Sequence, residues 1–145
     1  MRWYLLAPAL LTACSGEKPA TLGITKGRFP PCPDTPNCVS SDDAGDRAVV
    51  PFRFADSAGA VWEKVAAAVA NLPRTTIVRQ DSTYLHAEAR SRIFRFVDDL
   101  ELHLRPADSL IAVRSAARVG SWDLGVNRRR IERLRRTLRA QGVIR

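Results

Sequence analysis

From Thr75 to Ser115 the sequence repeats with a period of two, and this pattern limits the possible folds more than any other feature. Side chains on a strand alternate between faces, so a half-buried strand shows apolar residues at every second position. Thr75–Arg79 reads as one strand, Gln80-Asp81-Ser82 as a turn and Thr83–Ala89 as a second strand. Ile93–Leu104 is the longest run, with Phe94, Phe96, Asp98, Leu100, Leu102 and Leu104 at its even positions. Asp98 is the single polar intruder in that row. Arg105-Pro106-Ala107-Asp108-Ser109 turns the chain and Leu110–Ser115 returns antiparallel. Strands joined by connections this short build an antiparallel sheet, whose apolar face needs a cover.

Two helical patterns supply the cover. Val61, Val65, Ala68, Val69 and Leu72 follow one another at helical spacing beside Trp62, after an N-cap signal at Asp56-Ser57. Pro73 stops that helix, because it has no amide and disfavours helical geometry at Leu72. Beyond the strands, Asn127, Ile131, Leu134 and Leu138 form one stripe of a helix running from about Leu124 to Ala140. Arg129, Arg133 and Arg136 fall on the opposite face. Arg128, Arg135 and Arg139 flank the stripe, where their stems cover apolar surface. Ser121 or Asp123 is placed to cap the start. Val49–Phe54, interrupted by Pro51, reads as an edge strand or an arm.

The N-terminus has a different logic. Arg2 precedes a short apolar stretch from Trp3 to Leu11, after which Ser15-Gly16-Glu17-Lys18-Pro19 turns polar at once. A short apolar core ending in small residues is an export signal and not part of a fold. No apolar run reaches the roughly 18–20 residues of a spanning helix. Leu11-Thr12-Ala13-Cys14 resembles the lipobox of bacterial lipoproteins. The resemblance implies cleavage after residue 13, acylation of Cys14 and a palmitate-bearing membrane anchor. Ser15, where an Asp would signal inner-membrane retention, implies the outer membrane, facing the periplasm. Residues 14–29, with Gly16, Pro19, Gly23 and Gly27, read as a tether, and the globular domain as residues 30–145.

Cys32 and Cys38 lie six apart in Pro31-Cys32-Pro33-Asp34-Thr35-Pro36-Asn37-Cys38. In an oxidising compartment they are most simply a structural disulfide. A thiolate metal site would need two further ligands nearby, and a redox pair would need the two-residue spacing that tunes a thiol. The expected fold is therefore α+β: a four-stranded antiparallel sheet with two helices, one before and one after the strands, preceded by a disulfide-stapled N-terminal arm. The chain has 145 residues, 46% of them hydrophobic and 26% charged, which suits a single folded domain and excludes a disordered chain.

Three stretches together are similar to one family: Pro31 to Ser41, Tyr84 to Asp99, and Val113 to Ile131. The resemblance, to the domain of unknown function 1499, covers the chain from about Pro30 onward. It implies no activity, and Trp122 falls at a variable position.

Candidate functional residues are the polar outliers. Asp98 points to the apolar side of its strand, where a carboxylate must be paired or change its protonation. Arg90, Arg92, Arg114 and Arg118 are its candidate partners, either in a structural ion-pair network or beside a bulge at Asp98-Asp99 that rotates it outward. Alternatively, Arg92, Arg114, Arg118 and the start of the last helix form an anion pocket. Tyr84, His86 and Glu88 share the other face of their strand, as do Glu101 and His103 on theirs. That face reads as solvated, with a metal site as the sharper alternative. Ser91 and Ser115 lack a nucleophile motif.

Lys+Arg number 23 against 15 Asp+Glu, and residues 128–139 alone hold seven Arg and one Glu. Export argues against nucleic acid as the partner of this helix. Anionic headgroups or acidic envelope polymers facing Arg129, Arg133 and Arg136 fit better, beside a merely solvated face. The sequence thus describes an envelope lipoprotein presenting a small binding or structural domain, with no cofactor or metal indicated. An anion-binding module and an unrecognised hydrolase are the alternatives.

Overall fold

A computed structural model describes residues 16–145, so the signal segment and Cys14 lie outside the described residues. The elements in chain order are β1 (Cys38–Ser40), β2 (Phe52–Arg53), α1 (Ala58–Ala70), β3 (Thr75–Gln80), β4 (Tyr84–Arg90), β5 (Val97–Arg105), β6 (Leu110–Ala117) and α2 (Val126–Ala140). The sheet has six strands where periodicity indicated four, all paired antiparallel, in the order β1-β6-β5-β4-β3 with β2 also on β6. The two additional strands are three and two residues long, too short to display a period. They are strands because the outer edge of β6 offers unpaired amides and carbonyls that must be satisfied. The disulfide joins Cys32 to Cys38, the first residue of β1.

The long strand is also shorter than its alternation suggested. It begins at Val97, because residues 91–96 form the tip of the β4–β5 hairpin. Arg95 sits at φ 55°, which no strand tolerates. Ser91 N–H donates to the Phe96 carbonyl, and Phe96 N–H donates to Ser91 Oγ. Phe94 and Phe96 therefore obey the parity of the strand without belonging to it.

Both helices lie on one face of the sheet. There Leu85, Ala87, Leu100, Leu102, Ile111 and Val113 pack with Val61, Val65 and Val69 of α1 and with Ile131, Leu134 and Leu138 of α2. Trp62 is buried with its indole N–H donating to the Asp81 carbonyl. The start of α2 is capped by Asp123, whose carboxylate accepts from the amides of Gly125 and Asn127. Gly125 itself turns into the helix at φ 75°. Among the described residues, no helix is long and apolar enough to cross a membrane.

Candidate functional site

The cross-strand registers put two rows of polar side chains on the face opposite the helices. His86, Glu101 and Arg114 are aligned across β4, β5 and β6, and Glu88 and Asp99 are aligned in the next row. This face was expected to be solvated, and it is not: His86 is 2% exposed, Asp99 2%, Glu101 0% and Arg114 3%. The cover is the segment ahead of the sheet. Gly16 presses on Arg118 and Val119, Gly23 N–H donates to Glu101 Oε1 at 2.7 Å, and Ile24 and Phe29 join Tyr84, Leu110 and Ala112 in a small apolar cluster. The described part of the stretch read as a tether thus runs back across the sheet.

Enclosed this way, the charges have to satisfy one another. Arg114 donates to Glu101 Oε2 at 2.8 Å, and the Tyr84 hydroxyl donates to Glu101 Oε1 at 2.6 Å. Arg118 bridges Asp99 at 2.7 Å and Glu88 at 2.6 Å, and Arg90 reaches Glu88 at 3.1 Å. His86 Nε2 lies 2.6 Å from Asp99 Oδ1. Burial would push Asp99 up, but the hydrogen bonds from Arg118 and His86 outweigh it and hold the carboxyl below its ordinary range. An ionised carboxylate only accepts, so His86 Nε2 carries the hydrogen. Burial, together with the Glu101 carboxylate, pushes the Tyr84 hydroxyl far up, so it stays a donor. His103 sits edge-on to Phe29, and burial and then Arg105 lower its pKa. Among the described residues, no group of three His, Cys, Asp or Glu side chains is placed to hold a metal ion.

The cluster drawn around Asp98 divides between the two faces. Arg90, Arg114 and Arg118 belong to the buried network, and Arg92 is exposed in the hairpin tip. Asp98 remains on the helix side without a bulge, in unbroken register with Ala89 and Ala117. Its partner is Arg130 of α2, at 2.6 Å. Burial still raises the Asp98 pKa, more than Arg130 lowers it. Arg130 also donates to Ser115 Oγ, and Ser115 Oγ–H donates to the side chain of buried Asn127. Arg130 does not stand out in the sequence because it falls outside the apolar stripe, although its three-residue spacing from Asn127 is the signal that places both toward β6.

Arg130 is also one wall of a cleft. A cavity of about 180 Å³ opens between the α1–β3 connection, the end of β4 and the first turns of α2, lined by Arg74, Arg90, Arg129, Arg130 and Arg133 together with Val126 and their neighbours. Arg90 and Arg130 are held by Glu88 and Asp98. Arg74, Arg129 and Arg133 have no carboxylate partner among the described residues. Of the exposed arginines expected to face an anionic partner, Arg129 and Arg133 line this cleft and Arg136 does not. A second hollow, about 480 Å³, sets Asp34, Asp46 and Asp123 against Arg47 and Arg128 and so lacks the positive excess of the first.

The family described as "Protein of unknown function (DUF1499)" matches residues 28–138. The chain belongs to this family. The matched residues of this DUF1499 protein take in every strand, α1, the buried network and the arginine cleft. No curated protein and no solved structure matches the chain.

Proposed function

We propose that this DUF1499 protein is an envelope lipoprotein, anchored by acylated Cys14 to the outer membrane and facing the periplasm, whose domain binds an anionic ligand in the arginine cleft. One observation carries the binding reading: five guanidinium groups line a single cavity, while among the described residues two of them are matched by carboxylates. Arginine forks suit phosphate and carboxylate groups, and a cleft wall concentrates their field. The Cys32–Cys38 disulfide supports an oxidising compartment, as export requires. Binding is favoured over catalysis because the His86–Asp99 pair, which has the form of an acid–base unit, lies beneath the N-terminal segment.

Thermal denaturation in inorganic phosphate or pyrophosphate, at constant ionic strength, tests the cleft. The expected result is a rise in Tm that saturates with ligand and is lost in Arg129→Ala/Arg133→Ala. A rise that survives this double substitution, or no rise at all, overturns the reading. The anchor is tested separately by Cys14→Ser, which should release the protein from the membrane fraction; unchanged fractionation removes the lipoprotein reading.

A further inference from the structure

Among the described residues, six of the nine exposed large hydrophobic residues belong to the hairpin tip or to the β6–α2 connection, and a seventh opens α2 directly after it. They are Ile93, Phe94, Phe96, Val119, Trp122, Leu124 and Val126, with Phe94 70%, Trp122 69% and Leu124 64% exposed. Sheet register brings the two loops together, because Asp98 pairs with Ala117 and Arg118 N–H donates to the Val97 carbonyl. The cleft adjoins both: Arg90, which leads into the tip, and Val126, which follows the second loop, line the cavity. We infer that this end of the sheet docks on a phospholipid bilayer, with the two apolar loops entering the interface and the arginine cleft taking the phosphate of an anionic headgroup. The inference rests on the anion-binding and lipid-anchor readings above and names the ligand class for the first.

Three observations favour a bilayer over another occupant. The exposed side chains include Trp122 and Phe94, aromatic residues suited to the headgroup level of a membrane. The charge around them is complementary to anionic lipid. Arg92 and Arg95 stand in the tip, and Arg74, Arg129 and Arg133 border the cleft. Three nearby carboxylates are occupied, Asp98 by Arg130, Asp99 by Arg118 and Asp123 by the amides it caps, while Asp34 and Asp46 share the second hollow with Arg47 and Arg128. The described chain also begins at this end. Gly16 is set so closely that a Cβ there would meet Val119 Cγ2 at 2.8 Å. Cys14 is two residues earlier, about 7 Å of chain at full extension. The lipid-anchor reading is thus compatible with docking at this end.

The test uses the mature chain, residues 14–145, carrying Cys14→Ser, so that vesicle binding is read without an acyl anchor and without the apolar signal segment. This protein should co-float with phosphatidylethanolamine vesicles containing phosphatidylglycerol and not with phosphatidylcholine vesicles. Phe94→Ser/Trp122→Ser and, separately, Arg129→Glu/Arg133→Glu should each lower partitioning by at least about tenfold. Because all four side chains are exposed, the Tm should be unchanged. Vesicles carrying brominated acyl chains should quench Trp122, and Trp122→Phe should remove that quenching. Failure to float, or flotation indifferent to both double substitutions, overturns the inference. So does a dimer that the Phe94→Ser/Trp122→Ser change dissolves, since the loops would then face a second copy. If phosphate still raises the Tm while vesicles do not bind, the cleft takes a soluble anion and only the membrane inference falls.

Discussion

Asp98 and Asp99 are neighbours in the chain and lie on opposite faces of β5, and their surroundings differ as the faces do. On the helix side, two helices supply enough apolar surface to fill the space, and Asp98, the charge that β5 places there, is held at the rim by Arg130. On the other side, the cover is a single segment of turns and loop with Ile24 and Phe29 contributing its apolar packing. A segment that thin excludes water without replacing it by hydrocarbon. The residues beneath it are therefore a charge-matched set, Glu88, Asp99 and Glu101 against Arg90, Arg114 and Arg118. One face is held by packing and tolerates a charge only at its border, while the other is held by mutual compensation and tolerates no unmatched loss.

The sharpest way to break this contrast is to remove one member of a buried pair. Glu101→Gln leaves Arg114 enclosed without its counter-charge and should cost about 3–5 kcal/mol in denaturant unfolding. Glu101→Leu with Arg114→Met should recover most of that loss; a double variant as unstable as the single one would show that the charges do more than cancel. On the helix face, Leu134→Ala should cost about 2–5 kcal/mol, and no second polar substitution should rescue it. Replacing Cys32 and Cys38 by Ser should cost about 2 kcal/mol, measured the same way without reductant.

The smallest effect is a difference of sign with pH. Asp99 is held below its ordinary value of 3.8, so its contribution is complete above that pH and is lost as pH falls through its folded value. Asp98 is raised above 3.8, so folded protein holds the proton longer and stability falls as pH rises from 3.8 through the folded value. Asp99→Asn should therefore remove a stability gain with rising pH, and Asp98→Asn should remove a loss. Unfolding midpoints across acid pH, compared with the parent protein, should deviate in opposite directions.

The parts of the fold that announce themselves in the sequence are those whose burial is periodic. Val61 to Leu72 and Ile131 to Leu138 show their stripes because each helix meets one continuous apolar floor, and Leu100 to Leu104 shows its alternation for the same reason. β1 and β2 do not, because their strand character comes from β6 and not from their own residues. Phe94 and Phe96 misled the reading of β5 because parity alone does not distinguish a strand from an exposed apolar loop. At the site, parity correctly grouped Tyr84, His86 and Glu88, and also Glu101 and His103. It could not show that a glycine-bearing segment some sixty residues away would cover them, so a buried network looked like a wet surface. Arg74 was harder still: it joins Arg129 and Arg133, which the helical spacing had already set on one exposed face, through tertiary packing alone.

The pairing of β1 and β2 along β6 has a consequence for the chain in company. A sheet edge is a template on which another molecule can add a strand, and domains held at high density on one surface meet edge to edge often. Here one edge is already occupied by two short strands, which end before a long ladder can form. The other is β3, whose register with β4 shifts between Ile77 and Arg79 and which points Arg79 toward solvent. Neither edge offers a long, regular row of amides, so copies of this domain can crowd together without growing into a shared sheet.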